Sequence, residues 1–387
     1  MLLVGEAWGE AEETCRQPFV GWSGQELWRM LGEAAPEVAP DAHTSALHAQ
    51  RYGHAWIRQR EDWLSAASCA LTNVFNIHPL ANKLEYLCVG KSEGGGIAPS
   101  PSLPILRQPR ALYLHSRYLP ELFRLRSEIS LSKPNLIVAL GATASWALLC
   151  ATNIGSIRGT VAASSPIWEA GNVQGEVGGE AEAFPKILPT YHPAGVLRNY
   201  SWRPVVVADL VKAFREAQFP EICRPRREIL VNPTKSEMTT WTAATLASPP
   251  PLLSCDIETK SGQITCIGFA RSTSEAMVIP FVDLSAANKS YWPALSDEVL
   301  AWECCKALLV SPSCALVGQN FIYDLQYLTS LGLRPNALTH DTMLLHHSLH
   351  PEVRKGLGFL GSIYTNEASW KLMRKRKDEN ETNKADD

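Results

Sequence analysis

The chain has 387 residues, of which 45% are apolar and 19% charged. This length is typical of two domains, and the composition excludes a largely disordered chain. Lysine and arginine total 36 against 39 acidic residues, a net charge of −3. That balance excludes a broadly basic protein that coats nucleic acid. No apolar run reaches the roughly 18 residues of a membrane span. No secretory signal precedes the first predicted strand, so we expect a cytoplasmic protein without a membrane partner.

The first 220 residues alternate between predicted strands and helices. Strands are predicted at 2–4, 70–75, 136–140 and 186–189, and helices at 24–31, 117–129, 142–150 and 204–217. An inserted helix is predicted within 42–68 and a loop rich in glycine and proline over 90–109. The alternation predicts an α/β domain with a parallel or mixed sheet and helices on both faces.

A composition shift marks the end of this domain. Prolines and arginines cluster between residues 219 and 233, so we predict domains at 1–220 and 221–387. The second half then carries predicted strands at 252–258, 264–269, 276–281 and 315–317, and helices at 298–309, 324–331 and 342–349. The charged stretch 371–387 is predicted to be a frayed tail.

Four polar or aromatic positions in the first half follow predicted strands. Gly5 and Glu6 follow the first strand, Asn73 lies at the end of the second, and His192 follows the last. Phe19 stands beside a glycine in a separate turn. Ligands of open α/β sheets bind at the carboxyl ends of strands, so we expect these side chains to meet around one ligand.

Each of these residues also has an ordinary structural interpretation. Phe19 is compatible with the apolar core, Asn73 with a turn cap and His192 with a loop position. Glu12 and Glu13 are expected on a solvated helix face. Only the joint occurrence of the motifs favours a functional site.

In their order and spacing the motifs resemble the uracil-DNA glycosylase superfamily, and they are most similar to its family 4 branch. The matching stretches are Val4-Gly5-Glu6-Ala7, Pro18-Phe19-Val20-Gly21, Asn73-Val74, Ala139-Leu140-Gly141, Arg158-Gly159 and Tyr191-His192-Pro193-Ala194. The resemblance covers residues 1–218 and implies a three-layer α/β/α fold that excises uracil from DNA. It implies uracil binding by Gly5, Phe19, Asn73 and His192.

The residue types suit cleavage of an N-glycosidic bond. His192 is expected to donate a hydrogen bond to the departing uracil anion. The Asn73 amide can donate to uracil O4 and accept from N3–H, which cytosine does not match. Phe19 would stack on the flipped base. Glu6 is expected to orient water, with Glu10 or Glu13 as alternatives.

The same motifs suggest how DNA is held. Arg158 and Arg198 are expected to contact phosphates, and Val196 with Leu197 to fill the gap left by the flipped base. Two departures from the family pattern stand out. Trp8 occupies a position where the family usually has proline. The ten cysteines include no C-x-x-C pair, so we predict no [4Fe–4S] cluster, with Cys88 resembling one surviving ligand only.

A second set of residues lies beyond the domain boundary. Asp256 and Glu258 share one face of a strand, because strand side chains alternate, and Asp324 adds a third carboxylate. Such oxygen ligands suit Mg²⁺ or Mn²⁺. Residues 226–370 resemble the DEDD 3′–5′ exonuclease domain of phage family A DNA polymerases, through 256–259, 264–269, 318–324 and 340–344. This implies an RNase H-like mixed sheet.

The family's fourth acid has no clear counterpart in this chain. Asp341 matches a family residue outside the metal cluster, which leaves Asp378, Asp386 or a partner chain to complete the set. We therefore predict a uracil-DNA glycosylase joined to an exonuclease-like domain, acting on DNA in repair or replication in a phage or bacterium. Two alternatives stay open. One is a metal-dependent exonuclease with a uracil-sensing module, and the other is a non-enzymatic accessory factor of a DNA polymerase or replication complex.

Overall fold

The structure is a computed structural model that describes residues 1–35, 64–65, 67–91, 96–97, 103–107, 109–169, 184–335 and 339–367. Its contacts divide the chain into two compact units. The first comprises Met1–Cys223 together with the residues from Gly358 onward, and the second comprises Arg224–Leu357. Most of the helix predicted within 42–68, half of the loop predicted over 90–109 and all of the tail predicted over 371–387 lie outside the described residues.

The first unit alternates strands and helices, as its sequence pattern predicted. In chain order its elements are β1 (Leu2–Ala7), α1 (Glu10–Cys15), α2 (Trp22–Ala34), β2 (Ala70–Phe75), β3 (Cys88–Gly90), β4 (Gly96–Ile97), β5 (Leu112–His115), α3 (Leu119–Ser132), β6 (Leu136–Leu140), α4 (Gly141–Leu149), α5 (Ile154–Ile157), β7 (Lys186–Thr190), α6 (Pro193–Arg198) and α7 (Arg203–Glu216). Single 3₁₀ turns lie at Leu80–Asn82, Leu84–Leu87, Ser116–Tyr118 and Tyr200–Trp202.

A four-stranded parallel sheet in the order β2–β1–β6–β7 forms the centre of this unit. Every residue of β6 and β7 is buried, so both faces of the sheet are covered. On one face the apolar residues of α3 and α4 join a core with alternate residues of the strands, such as Leu2 and Val4. Helix α7 packs against β6 and β7 and also against α2. This is the predicted three-layer α/β/α arrangement.

Strands β3, β5 and β4 form a separate small antiparallel sheet. Cys88 begins β3, and its thiol donates to the Leu84 carbonyl at 3.3 Å. Burial raises the pKa of this thiol to about 12, so Cys88 is a protonated structural residue at neutral pH.

The second unit is built on a six-stranded mixed sheet. Its elements are β8 (Glu228–Leu230), α8 (Lys235–Ala247), β9 (Leu252–Lys260), β10 (Gln263–Ala270), β11 (Glu275–Pro280), α9 (Leu295–Val310), β12 (Ala315–Gly318), α10 (Ile322–Ser330), β13 (Thr339–Asp341) and α11 (Thr342–Leu349). The strand order is β13–β12–β9–β10–β11–β8. β9, β10 and β11 form an antiparallel meander, and β12 and β13 continue parallel to β9. The predicted RNase H-like arrangement is therefore confirmed.

The last described segment, 358–367, packs with the first unit instead of with the domain predicted at 221–387. It includes most of helix α12 (Leu357–Tyr364). The Arg158 guanidinium donates to Ser362 Oγ at 2.8 Å, and Lys212 Nζ donates to the carbonyls of Ser362 and Thr365. Gly159 has φ +73°, and a Cβ there would lie 2.6 Å from the Ser362 carbonyl oxygen. The segment is thus a structural part of the first unit. Among the described residues, no helix is both long and apolar enough to cross a membrane.

Candidate active site

The carboxyl ends of the central strands border a cleft of about 690 Å³ in the first unit. Phe19, Asn73 and His192 line this cleft together with Glu6, so the structure brings the predicted side chains together. Gly5 explains how closely they approach. A Cβ at Gly5 would lie 2.2 Å from Asn73 Oδ1 and 2.4 Å from Phe19 Cζ, so glycine leaves the space that the amide and the ring occupy.

Asn73 is held by a clamp that sequence reasoning missed. It is buried near the end of β2, which is an edge strand of the sheet. Arg124 of α3 donates from Nη2 to the backbone carbonyls of Asn73 at 2.7 Å and Val74 at 3.1 Å. The guanidinium thereby replaces the neighbouring strand that an edge carbonyl lacks. Within the described ranges no residue hydrogen-bonds the side-chain amide of Asn73, which is consistent with an amide left for a ligand.

Acidic partners hold Arg124 itself. Its Nε donates to Glu121 at 3.0 Å and its Nη1 to Glu128 at 2.7 Å, while Thr72 Oγ1 bonds both Arg124 and Glu128. Glu121 also accepts from the Asn76 backbone N–H at 2.8 Å. A charged helix face was visible in the sequence, but its contact with β2 depends on packing between residues about 50 positions apart.

Phe19 is buried with φ +55°, a backbone conformation that is unusual for an aromatic residue. Gly24 of α2 permits it, because a Cβ at Gly24 would lie 1.9 Å from the Phe19 carbonyl oxygen. The Phe19 ring faces the His192 ring at a centroid distance of 6.1 Å and an interplanar angle of 30°. The turn thus presents the ring to the cleft at the cost of backbone strain.

We expect Gly24→Ala to lower the free energy of unfolding by about 1–3 kcal/mol, because the backbone that it meets moves less readily than a side chain. Chemical denaturation of the full chain measures this. Gly155→Ala is the matched control, since its Cβ would make only an ordinary contact, 3.8 Å from Asn153 Oδ1. Equal free energies of unfolding for the two variants would contradict the view that Gly24 makes room for the Phe19 backbone.

Glu12 does not lie on a solvated face, so that expectation is wrong. Its side chain is buried, and its carboxylate accepts from three backbone N–H groups, those of Gly9 at 3.1 Å, Val20 at 3.0 Å and Gly21 at 2.8 Å. These bonds join the turn after β1 to the turn that carries Phe19. Glu13 is exposed as expected, and it pairs with His78 Nδ1 at 3.0 Å.

His192 caps the N-terminus of α6. Its Nδ1 accepts from the Ala194 backbone N–H at 3.1 Å, so the neutral ring carries its proton on Nε2. Burial lowers the pKa of His192, and the nearby Glu6 carboxylate only partly opposes this. Gly141 (φ +88°) makes room for the ring, since a Cβ there would lie 2.9 Å from His192 Cβ. The cleft therefore contains a neutral imidazole that is a donor at Nε2.

Glu6 is held at the cleft by α4. The Thr143 hydroxyl donates to Glu6 Oε2 at 2.5 Å. One carboxylate oxygen is thereby oriented by the protein, and Glu6 is half-buried at the wall of the cleft. Glu10 also lines the cleft but is exposed.

Two of the four predicted DNA-contacting residues are wrongly assigned. Arg158 is only 1% exposed, pairs with Asp209 and bonds Ser362, so its guanidinium is not available to a phosphate. Val196 is fully buried, because it lies on the inner face of α6. Leu197 and Arg198 are exposed at the rim of the cleft, where a DNA contact is feasible.

The acidic residues of the second unit do not assemble into a metal-binding group within the described residues. Asp256 and Glu258 lie on β9, and Asp324 is buried on α10 with Oδ1 accepting from the Ile257 N–H at 2.8 Å. Burial, with the charge of Asp256, raises the pKa of Asp324 to about 6.

Asp341 is also committed to a structural role. Its carboxylate accepts from the backbone N–H groups of Asn320, Phe321 and Met343. Within the described residues, no group of three or more such side chains lies close enough to hold the Mg²⁺ or Mn²⁺ that the exonuclease resemblance implies. The alternatives Asp378 and Asp386 lie outside the described residues.

The first unit is thus a parallel α/β/α unit in which an amide, a benzyl ring and an imidazole line one cleft. Residues 1–217 match the family model for the uracil DNA glycosylase superfamily, and the chain belongs to this superfamily. The protein joins this unit to a second unit with the RNase H-like sheet described above. No curated protein sequence matches the chain.

Several solved structures are similar to part of the chain. Escherichia coli RNase D, an exoribonuclease, has 17% identity over 37% of this chain and 34% of its own, with a TM-score of 0.27. The EXO domain of Aedes aegypti Nibbler has 12% identity over 38% of this chain and 74% of its own, with a TM-score of 0.28. Trypanosoma brucei RNase D in complex with RNA has 12% identity over 38% of this chain and 50% of its own, with a TM-score of 0.30. The matched part of this chain spans about a third of the E. coli enzyme.

Proposed function

We propose that the first unit excises uracil from DNA by hydrolysis of the N-glycosidic bond, without a metal ion. The observation that carries this proposal is that Phe19, Asn73 and His192 line one cleft, although they lie far apart in the sequence. A base reaches such a cleft only after it leaves the stack.

Recognition of uracil is assigned to Asn73 and Phe19. The Asn73 amide donates to O4 and accepts from N3–H, whereas cytosine offers a donor and an acceptor in the opposite places. Phe19 stacks on the ring of the base. Gly5 supports both contacts, because any side chain there would displace the amide and the ring.

Bond cleavage is assigned to His192 and Glu6. The bond between C1′ and N1 breaks, and uracil departs as an anion whose O2 takes a hydrogen bond from His192 Nε2–H. A neutral imidazole suits this role, since it donates without giving up its proton. Glu6, oriented by Thr143, holds the water whose oxygen bonds to C1′ and offsets the positive charge of the sugar. The proton that this water loses neutralises the uracil anion, so the products are free uracil and a sugar with a hydroxyl at C1′. Leu197 fills the space of the flipped base, and Arg198 contacts a phosphate.

Incubation of the full chain with uracil-containing oligonucleotides in EDTA tests the proposal. We expect release of free uracil from the wild type and a large loss of release in Asn73→Ala. Absence of release from single- and double-stranded substrates, with folding intact, would refute the glycosylase assignment.

Arg124 acts as a positioning residue for Asn73 in this scheme. We expect Arg124→Gln to lower kcat/KM about 10- to 100-fold, because small displacements of a recognition group are costly. Arg126→Gln is a control on the same helix. The ratio of kcat/KM for uracil to kcat/KM for cytosine substrates should fall in Arg124→Gln. An unchanged ratio would show that Arg124 is merely structural.

The pH dependence follows from the lowered pKa of His192. The unfolded chain takes up this proton near pH 6.5, before the folded chain does. The stability that the neutral His192 ring contributes is therefore complete above pH 6.5. It is lost as the pH falls through the lower pKa that His192 has in the folded chain. We expect the acid limb of kcat to lie below pH 6.5, measured as uracil release from pH 4.5 to 8. An acid limb at or above pH 6.5 would contradict a buried neutral ring.

For the second unit we propose a role in holding DNA, so that excision takes place during repair or replication. The RNase H-like sheet supports a nucleic-acid function, while within the described residues no group of three or more metal-binding side chains supports cleavage. Trimming of 3′ ends that requires Mg²⁺ and is lost in Asp256→Ala would instead favour the exonuclease alternative. DNA binding without either activity would favour the accessory factor.

A further inference from the structure

Trp22 is exposed at the mouth of the candidate active-site cleft. It begins α2, directly after the turn that Glu12 holds, and 75% of its surface is accessible. Among the tryptophans of the described ranges it is the one that is exposed. Leaving an indole in water is unfavourable, and a large exposed aromatic side chain commonly marks a binding surface.

Leu197 and Arg198 belong to the same rim. Leu197 is 47% exposed on α6, which packs against α2, and both residues line the cleft with Trp22. The rim therefore combines two apolar side chains and one cation. Glu10 also lines the cleft, and its negative charge repels phosphates, whereas Arg198 attracts them.

We propose that Trp22 stacks on the base next to the extruded uracil and makes single-stranded DNA the preferred substrate. This inference rests on the proposed function and extends it to the flanking nucleotide. A flanking base in single-stranded DNA can leave its neighbours and lie on an indole, as in other proteins that bind single strands. In a duplex the flanking base stays paired and stacked, so Trp22 makes little contact with it.

The test uses the full chain with single- and double-stranded oligonucleotides that carry one uracil and 2-aminopurine beside it. We expect Trp22→Ala to raise KM for the single strand about tenfold with kcat within about twofold, because stacking contributes to binding of the flanking base. KM for the duplex should change less than twofold, and Trp22→Phe should recover most of the single-strand affinity. Leu131→Ala, 84% exposed on α3 and not among the residues that line the cleft, is the control and should match the wild type.

Quenching of 2-aminopurine fluorescence on binding provides a readout that does not need excision. Quenching by the wild type that is lost in Trp22→Ala and kept in Trp22→Phe supports the inference, even if no uracil is released and the proposed function fails. Equal quenching and equal KM in the wild type and Trp22→Ala would overturn it, while uracil release in the same samples would leave the glycosylase assignment standing.

Discussion

Replacing His192 by alanine should lower kcat for uracil release by about 100- to 1,000-fold, the usual loss when one preorganised donor to a developing anion is removed. The reason is geometric. Nδ1 accepts from the Ala194 N–H, so Nε2–H is the donor of the neutral ring, and His192 lines the cleft. KM should change much less, because the anion forms only in the transition state. Single-turnover measurements on uracil-containing oligonucleotides give both quantities.

Two variants separate the role of His192 in bond cleavage from its role as the N-cap of α6. His115 makes the same local bond as His192, with Nδ1 accepting from the Arg117 N–H at 3.1 Å, but it does not line the cleft. His115→Ala should therefore retain full activity. His192→Asn keeps an N-cap acceptor and removes the Nε2 donor, so it should fold like the wild type and remain slow. Full activity in His192→Asn would contradict the role assigned to the imidazole.

Replacing Asp209 by alanine should cost the first unit about 3–5 kcal/mol of stability, because it leaves a buried guanidinium without its partner. Asp209 is fully buried, pairs with Arg158 through both oxygens and accepts from the Thr190 hydroxyl at 2.6 Å. Thr190 ends β7, two residues before His192. Thermal and chemical unfolding of the full chain measure the loss.

The matched control is Asp283→Ala, a half-buried aspartate of the second unit whose carboxylate accepts from the backbone N–H and the hydroxyl of Ser285 in its own turn. It should leave the transition of the first unit unchanged. Combining Asp209→Leu with Arg158→Met should recover much of the loss, since an apolar pair of similar volume needs no charge partner. Wild-type stability in Asp209→Ala would refute the view that this buried pair organises the first unit.

The ion pair also bears on domain organisation. Arg158 and Lys212 bond residues of the segment 358–367, so a fragment that ends near residue 223 would leave two buried cations with fewer partners. In the sequence, the residues of the second unit therefore lie between two parts of the first. A composition shift near residue 220 indicated where the first boundary lies, but composition carries no information about a later return of the chain.

The corrected predictions for Arg158 and Glu12 share one physical cause. Arg158 was expected at a phosphate and Glu12 in solvent because both are charged, and charge usually marks the surface. Burial becomes favourable when several hydrogen bonds are supplied at once, as by three backbone N–H groups for Glu12. Such a set is assembled by the fold, and a short stretch of sequence does not reveal it.

The sequence by itself determined the alternation of strands and helices and the meander of the second half, and it predicted that Phe19, Asn73 and His192 lie around one cleft. It did so because strand periodicity and residues at strand ends are local features, and parallel strands bring their carboxyl ends to one edge. Tertiary structure alone decided the clamp of Arg124 on β2, the burial of Arg158 with Asp209 and the return of residues 358–367 to the first unit. These contacts join positions about 50 to 200 residues apart, and their stability depends on burial and geometry that exist only once the chain is folded.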